Sequence, residues 1–293
     1  MILLTGATGV VGTALLRRLT AGGEPVRCLV RDPRRLGAER VRVQIALGDL
    51  ADPPSFRNAL RGVRTVVHLA ASIRDQPQGS IEELNGIATW RLVRAAERAG
   101  VEHFVFFSAL SASTHDRTRF LRAKALAEEA VRESPVRTTV FAPSIVYAPQ
   151  DRYVQLVERL SLLPLTPLPG RGTARYQPIW ADDAADCVMA VLGDVDGDGG
   201  ARYELAGPDT LTHDEMVALI TRAAGRERPR LKVPSPLVRA MLRATETLMK
   251  SKAPATWDEA ELLEVSMTSR RGTADAEALG VTPRPMAAVL GAR

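Results

Sequence analysis

Along the first half of the chain, short apolar runs recur at a regular spacing and are separated by stretches with helical periodicity. The apolar runs cover residues 1–4, 26–30, 43–46, 65–69, 103–107 and 137–141, and each reads as a buried strand. Between them, residues 11–21, 55–60, 86–99 and 120–133 place apolar side chains three and four apart and predict helices. Gly22-Gly23, Gly62 and Gly100 stand where a helix ends in a left-handed cap. Strands that alternate with helices imply βαβ units and a parallel sheet, so the expected fold class is α/β.

The pattern loosens after residue 143. Residues 160–169 are apolar and broken by Pro164, Pro167 and Pro169, which suits either a lid over a pocket or a packed connector. Residues 180–192 read as a helix with Asp182 and Asp183 at its positive end, and residues 202–205 as a strand. Thr212 and Glu215 form a capping-box pair that opens a helix over 212–224, and a further amphipathic helix is expected over 236–250. The division expected is a core over 1–145 and a mainly substrate-binding region over 146–293, with 180–192 and 202–205 returning to the core.

Composition narrows the function. The chain of 293 residues is 45% hydrophobic and 25% charged, ordinary for a globular protein, and long enough for a large core. Its net charge of +5 comes from scattered arginines that are not interleaved with aromatics, so nucleic acid is not expected as a partner. Cys28 and Cys187 fall in a strand and a helix, which fits a reducing compartment, and the cytoplasm is the expected location. Strand-like residues begin at Met1 with no leader-like segment, and no apolar run suffices for a membrane span of about 20 residues. A monomer or homodimer is expected, and no set of His, Cys, Asp and Glu shows metal-ligand spacing.

The strongest chemical signal is Thr5-Gly6-Ala7-Thr8-Gly9-Val10-Val11-Gly12, which lies between the first strand and the first helix. Glycines allow a tight turn and close backbone approach, and free amides at a helix N-terminus hold a pyrophosphate. The arrangement is that of a Rossmann-type doubly wound sheet binding a dinucleotide. The residues expected at the cofactor here are Gly6, Thr8, Gly9, Val10, Val11 and Gly12. Arg31 stands 19 positions after Gly12, at the end of the second strand, where a cation favours a ribose 2′-phosphate; Arg34 and Arg35 are near enough to assist. NADP(H) is therefore preferred, while Asp32 keeps NAD(H) open. Asp49 and Leu50 after the third strand suit the adenine, and Leu69, Ala70 and Ala71 leave room for a flat ring.

Assembled in this order, the motifs resemble the short-chain dehydrogenase/reductase superfamily, in its extended and atypical branches. The likeness runs from the glycine loop through Gly48-Asp49-Leu50, residues 66–71, 107–112 and 143–149 to Gln177-Pro178-Ile179-Trp180 and residues 203–208. It includes the group of the NAD(P)H-binding accessory subunit of respiratory complex I and the isoflavone-reductase-like (NmrA-like) branch. The resemblance implies cofactor contacts at Phe107, Lys124, Pro143, Ser144 and Ile145, and a substrate contact at Ser108. Tyr147 matches a family position near the cofactor.

The chain departs from the family at the proton relay. Where related enzymes carry Tyr-x-x-x-Lys, this one reads Phe120-Leu121-Arg122-Ala123-Lys124, and phenylalanine has no proton to give. The reading ranked first assigns assistance to Lys124, as in the branch that lacks the tyrosine. His115, in the loop after the fifth strand, Tyr147 and Tyr153 are candidate substitute acids, while His68 reads as core and His103 and His213 have no evident partners. The expected activity is hydride transfer from NADPH to a carbonyl, imine or activated C=C of a small, fairly apolar substrate in a pocket that includes Tyr147, Tyr153 and Leu163. A non-catalytic NAD(P)H-binding sensor or accessory subunit, and an isomerase or lyase on the same scaffold, are the alternatives.

Overall fold

A computed structural model describes residues 1–194, 199–249 and 253–291. Its centre is a seven-stranded parallel sheet built from β1 (Ile2–Thr5), β2 (Val26–Val30), β3 (Gln44–Leu47), β4 (Thr65–His68), β5 (His103–Phe107), β6 (Arg137–Pro143) and β11 (Ala201–Leu205). The order across the sheet is β11-β6-β5-β4-β1-β2-β3. The order in which strands are added reverses between β4 and β1, so the crevice outside their carboxyl ends is the topological switch point where such sheets bind ligands.

Helices cover both faces because the inner strands are apolar on both sides. On one face α1 (Val10–Ala21) packs against α6 (Ala181–Gly193), and Leu15, Leu19, Ala184, Cys187 and Val188 share a core with β1 and β2. Arg18 fastens the two helices by donating to Asp182 at 2.7 Å and Asp186 at 2.6 Å. On the other face α3 (Ala88–Arg98) and α4 (Arg119–Arg132) bury Leu92, Ala96, Ala127 and Val131 against β4 to β6. The crossover from β3 to β4 is short: α2 (Pro53–Phe56) passes into a 3₁₀ turn over Arg57–Leu60. The helix expected over 55–60 is thus one turn each of two types, because Pro53 and Pro54 force an early start that short length cannot extend. The crossover from β4 to β5 enters α3 through a π turn over Glu83–Ile87, whose Asn85 amide donates to Ile81 O and Ser72 O.

The remaining elements form a cap over the carboxyl ends of β5 and β6. They are β7 (Val146–Tyr147), α5 (Arg152–Leu160), β8 (Thr166–Pro169), β9 (Arg175–Tyr176), β10 (Ile179–Trp180), β12 (Leu211–Thr212), α7 (His213–Ala223), β13 (Arg230–Val233), α8 (Ser235–Met249), α9 (Trp257–Leu262) and α11 (Met286–Gly291), whereas α10 (Ala274–Ala278) packs beside β11 and buries Ala276 in the core of the sheet. Three two-stranded pairs, β7 with β10, β9 with β12 and β8 with β13, hold it together around a separate apolar cluster that includes Tyr176, Met216 and Ile220. The stretch read as a lid or connector resolves into the end of α5, a turn and β8. Leu162, Leu163 and Leu165 in that turn are 63%, 47% and 46% exposed, while Leu160 and Leu168 face a cavity. Lys250, at the end of the helix expected over 236–250, lies outside the described residues.

Candidate functional site

Two cavities open at the carboxyl edge of the sheet. The first, of about 440 Å³, occupies the switch point and is walled by residues that follow β1, β2, β3 and β4. Thr5 to Gly9 form its floor. Gly6 adopts φ +73°, and a Cβ there would stand 2.6 Å from Ala70 N, so the loop after β1 touches the end of β4 without room for a side chain. A Cβ on Gly12 would stand 2.1 Å from Gly6 O, which shows how closely α1 sits on the loop. No side chain caps α1, and its opening amides on Val10, Val11 and Gly12 are left for a ligand. A backbone cradle with unpaired amides and no side chains in the way fits the pyrophosphate of a dinucleotide.

Arg31 and Asp49 face each other across this cavity, with Nη1 3.8 Å from Oδ2 and the arginine half exposed. Leu50, Leu69, Ala70 and Ala71 line it as expected from the chain, and so do Asp32 and Arg35. Arg34 does not line it: its backbone amide donates to Asp32 Oδ1, starting the 3₁₀ turn at Pro33, and its side chain is exposed. The three-residue period of that turn places Arg35 on the same side as Asp32, a signal present in the sequence at Asp32-Pro33.

The second cavity, of about 540 Å³, lies under the cap. Its walls are mostly Leu, Val, Ile, Met and Pro, drawn from the ends of β5 and β6 and from α5, β8, α8 and α9. The two cavities adjoin, because Ser72 lines the first and Ile73 the second. Ser108, Pro143, Ser144 and Ile145, expected near the cofactor or substrate, all line this second cavity. Ser144 Oγ donates to Met267 O at 2.7 Å, which ties the end of β6 to the cap. Ser108 Oγ is buried and has no partner among the described residues.

Lys124 is fully buried and its Nζ donates to Phe107 O at 2.6 Å, so Phe107 enters through its backbone rather than its ring. The ammonium lies 4.8 Å from the Phe106 ring centroid and 5.8 Å from that of Phe120. Burial pulls its pKa down to about 7, and the charge of Glu128 opposes this only in part. Phe120 lines the cavity with an aromatic face where the family tyrosine would present a hydroxyl.

The candidate substitute acids separate. His115 is exposed, with Nδ1 beside Thr114 Oγ1 at 3.2 Å, and lies on neither cavity wall. Tyr147 is buried in the cap's core, paired through β7 with Trp180 on β10, and is not on the cavity wall; burial raises its pKa above the usual phenol range. Leu163 points to solvent, because the turn after α5 carries it away from the cavity. Tyr153 does line the cavity, and its hydroxyl lies 2.8 Å from His213 Nε2. That partnership joins α5 to α7 across 60 residues and has no signature in the chain. His68 is core, held between Thr5 Oγ1 at 2.6 Å and Thr89 Oγ1 at 2.9 Å, and burial lowers its pKa to about 3.

The sequence matches the model of the NmrA-like family over residues 1–268. It is 31% identical over 261 residues to a mitochondrial NADH dehydrogenase [ubiquinone] 1 alpha subcomplex subunit 9 of Arabidopsis thaliana, a match that spans 85% of this chain and 64% of the relative. It is 32% identical over 235 residues to a (4-alkanoyl-5-oxo-2,5-dihydrofuran-3-yl)methyl phosphate reductase of Streptomyces griseus, covering 77% and 74% of the two chains. A nucleoside-diphosphate-sugar epimerase from Staphylococcus aureus has the same fold, with a TM-score of 0.77 over 99% of both chains at 22% identity. No helix among the described residues is long and apolar enough to cross a membrane.

Proposed function

The chain belongs to the NmrA-like family, within the short-chain dehydrogenase/reductase superfamily, and from that premise we propose that it is an NADPH-dependent reductase acting on a small, largely apolar substrate. The observation that carries this reading is the junction at Ser72 and Ile73 of a polar cradle and an apolar cavity. A nicotinamide dinucleotide bound in the cradle supplies the hydride, and the acceptor is a carbonyl, imine or activated C=C. Of such a cofactor, the start of α1 would hold the pyrophosphate, Arg31 and Arg35 would favour a 2′-phosphate, and Asp49 would contact the adenosine portion, with NADH as a weaker ligand. Ser108, whose buried hydroxyl has no partner among the described residues, would hold the substrate's reacting oxygen. Lys124, whose pKa burial lowers to about 7, stands behind Phe107 and Phe120 rather than on the cavity wall, and would be the source of the proton that the reduced acceptor takes up.

A second reading is a nucleotide-binding protein without turnover. Phe120 in place of the tyrosine and the commitment of Lys124 Nζ to Phe107 O favour it. NADPH absorbance followed against ketones, enones, imines and quinones separates the two. Turnover that is lost in Lys124→Ala while NADPH binding is kept supports the reductase; the absence of turnover with every acceptor class sinks it.

A further inference from the structure

Buried polar atoms without partners are uncommon, and several of them on the wall of one cavity call for an explanation, of which a bound ligand is one. Among the described residues, Ser108 Oγ, Thr166 Oγ1 and His213 Nδ1 are such atoms, and all three residues wall the same apolar cavity. Ser108 belongs to the reacting end. His213 belongs to a second polar point, supplied by the cap rather than the sheet.

His213 is only 2% exposed and opens α7, where the Thr212–Glu215 capping box fixes it. Its Nε2 lies 2.8 Å from the Tyr153 hydroxyl, and the Tyr176 ring stands edge-on to its imidazole. Burial lowers the His213 pKa to about 4 and raises that of Tyr153, so both groups are neutral near pH 7. If Nε2–H donates to Tyr153, the phenol proton and Nδ1 are free; if Tyr153 donates, Nδ1–H and the phenol oxygen are free. Either tautomer leaves one donor and one acceptor uncommitted. Of the charged groups on the same cavity, Glu259 pairs with Arg74, and Arg152 is exposed and donates to Pro254 O.

We propose that the Tyr153–His213 pair is a second anchor in the substrate cavity, selecting an apolar substrate that carries a neutral hydroxyl or amide remote from its reacting group. The inference rests on the reading of this cavity as the substrate site. A neutral donor and acceptor in apolar surroundings satisfies a hydroxyl but offers a carboxylate no counter-charge at that point, and burial of that charge is costly. An alkyl terminus leaves the pair unsatisfied, which is the basis of rejection by hydrogen-bonding sites.

The test uses three matched ketones, 2-octanone, 8-hydroxy-2-octanone and 7-oxooctanoate. Calorimetric binding to the full chain loaded with NADP⁺ is compared with NADPH-dependent turnover. The hydroxyketone is expected to bind more tightly than the oxoacid by about tenfold. Its advantage over 2-octanone is expected to shrink by roughly fivefold in Tyr153→Phe, which removes only the hydroxyl, and similarly in His213→Leu. Equal or better binding of 7-oxooctanoate, an advantage unchanged in Tyr153→Phe, or no binding of any of the three overturns the anchor. Binding preference without turnover would sink the reductase reading and leave the anchor standing. Turnover of 2-octanone without hydroxyl preference would do the reverse.

Discussion

Lys124 Nζ donates to the carbonyl oxygen of Phe107, the last residue of β5, at 2.6 Å. The bond fixes α4 to the edge of the sheet from which the cavity begins, and it does so with an ammonium that burial has brought from 10.5 to about 7. Between those two values the unfolded chain holds a proton on this lysine that the folded chain has released. Stability from this group therefore rises with pH from about 7 to about 10 and has no slope below 7, where both forms are charged. Urea midpoints of wild type and Lys124→Met, compared at about pH 7.5 and about pH 9.5, are expected to show the wild type gaining relative to the variant, by up to about 1.4 kcal/mol per pH unit. A constant difference between them would contradict the shift.

Gly12 has no space for a methyl group, since its Cβ would sit 2.1 Å from Gly6 O. Gly12→Ala must push α1 off the loop, at a cost of about 2–4 kcal/mol, and displace the amides that face the cradle. Thermal unfolding is expected at a lower temperature, with NADPH affinity reduced at least about tenfold. Normal affinity in a folded Gly12→Ala protein would show that α1 does not hold the ligand.

Arg31 is half exposed and 3.8 Å from Asp49 Oδ2, close enough to sense it and loose enough to turn to a phosphate. Arg31→Ala is expected to weaken NADPH by about tenfold or more and NADH by less than about threefold, the difference being charge-assisted hydrogen bonds to the 2′-phosphate. Fluorescence titration with the two nucleotides measures this. Equal losses would remove the NADPH preference.

Arg74, in the loop after β4, is 9% exposed at its side chain and donates to both oxygens of Glu259, at 2.5 and 2.7 Å. Glu259 also completes the capping box of α9 and lines the apolar cavity. Glu259→Ala strands a buried guanidinium and removes the cap, and is expected to cost about 3–5 kcal/mol. The double variant Arg74→Met/Glu259→Leu, which replaces both charges, should recover much of that loss in chemical denaturation. No recovery would mean that the carboxylate acts through the cap rather than through Arg74.

Local chemistry made some of this legible from the chain. Gly6, Gly9 and Gly12 announce a strand-to-helix turn because backbone conformation and close packing there tolerate little else, and the order of Arg31, Asp49 and Ala70 follows from strand ends that a parallel sheet must align. The absent tyrosine at Phe120 is visible in the same way. Arg34 and Arg35 are both near the end of β2, and the turn that Asp32 starts decides which of them lines the cavity. Leu163 shared its apolar character with Leu160 and Leu168, and only the path of the turn after α5 sends it outward.

By itself, then, the sequence determined the parallel sheet, the glycine cradle and the lack of a phenol at position 120, because each depends on neighbours within one βαβ unit. The tertiary structure decided what shares a cavity. Tyr153 and His213 meet because α5 and α7 pack together in the cap, Lys124 finds Phe107 O because α4 lies against β5, and Arg74 reaches Glu259 across 185 residues. Such contacts are set by how apolar faces bury one another at long range, and no spacing along the chain encodes them.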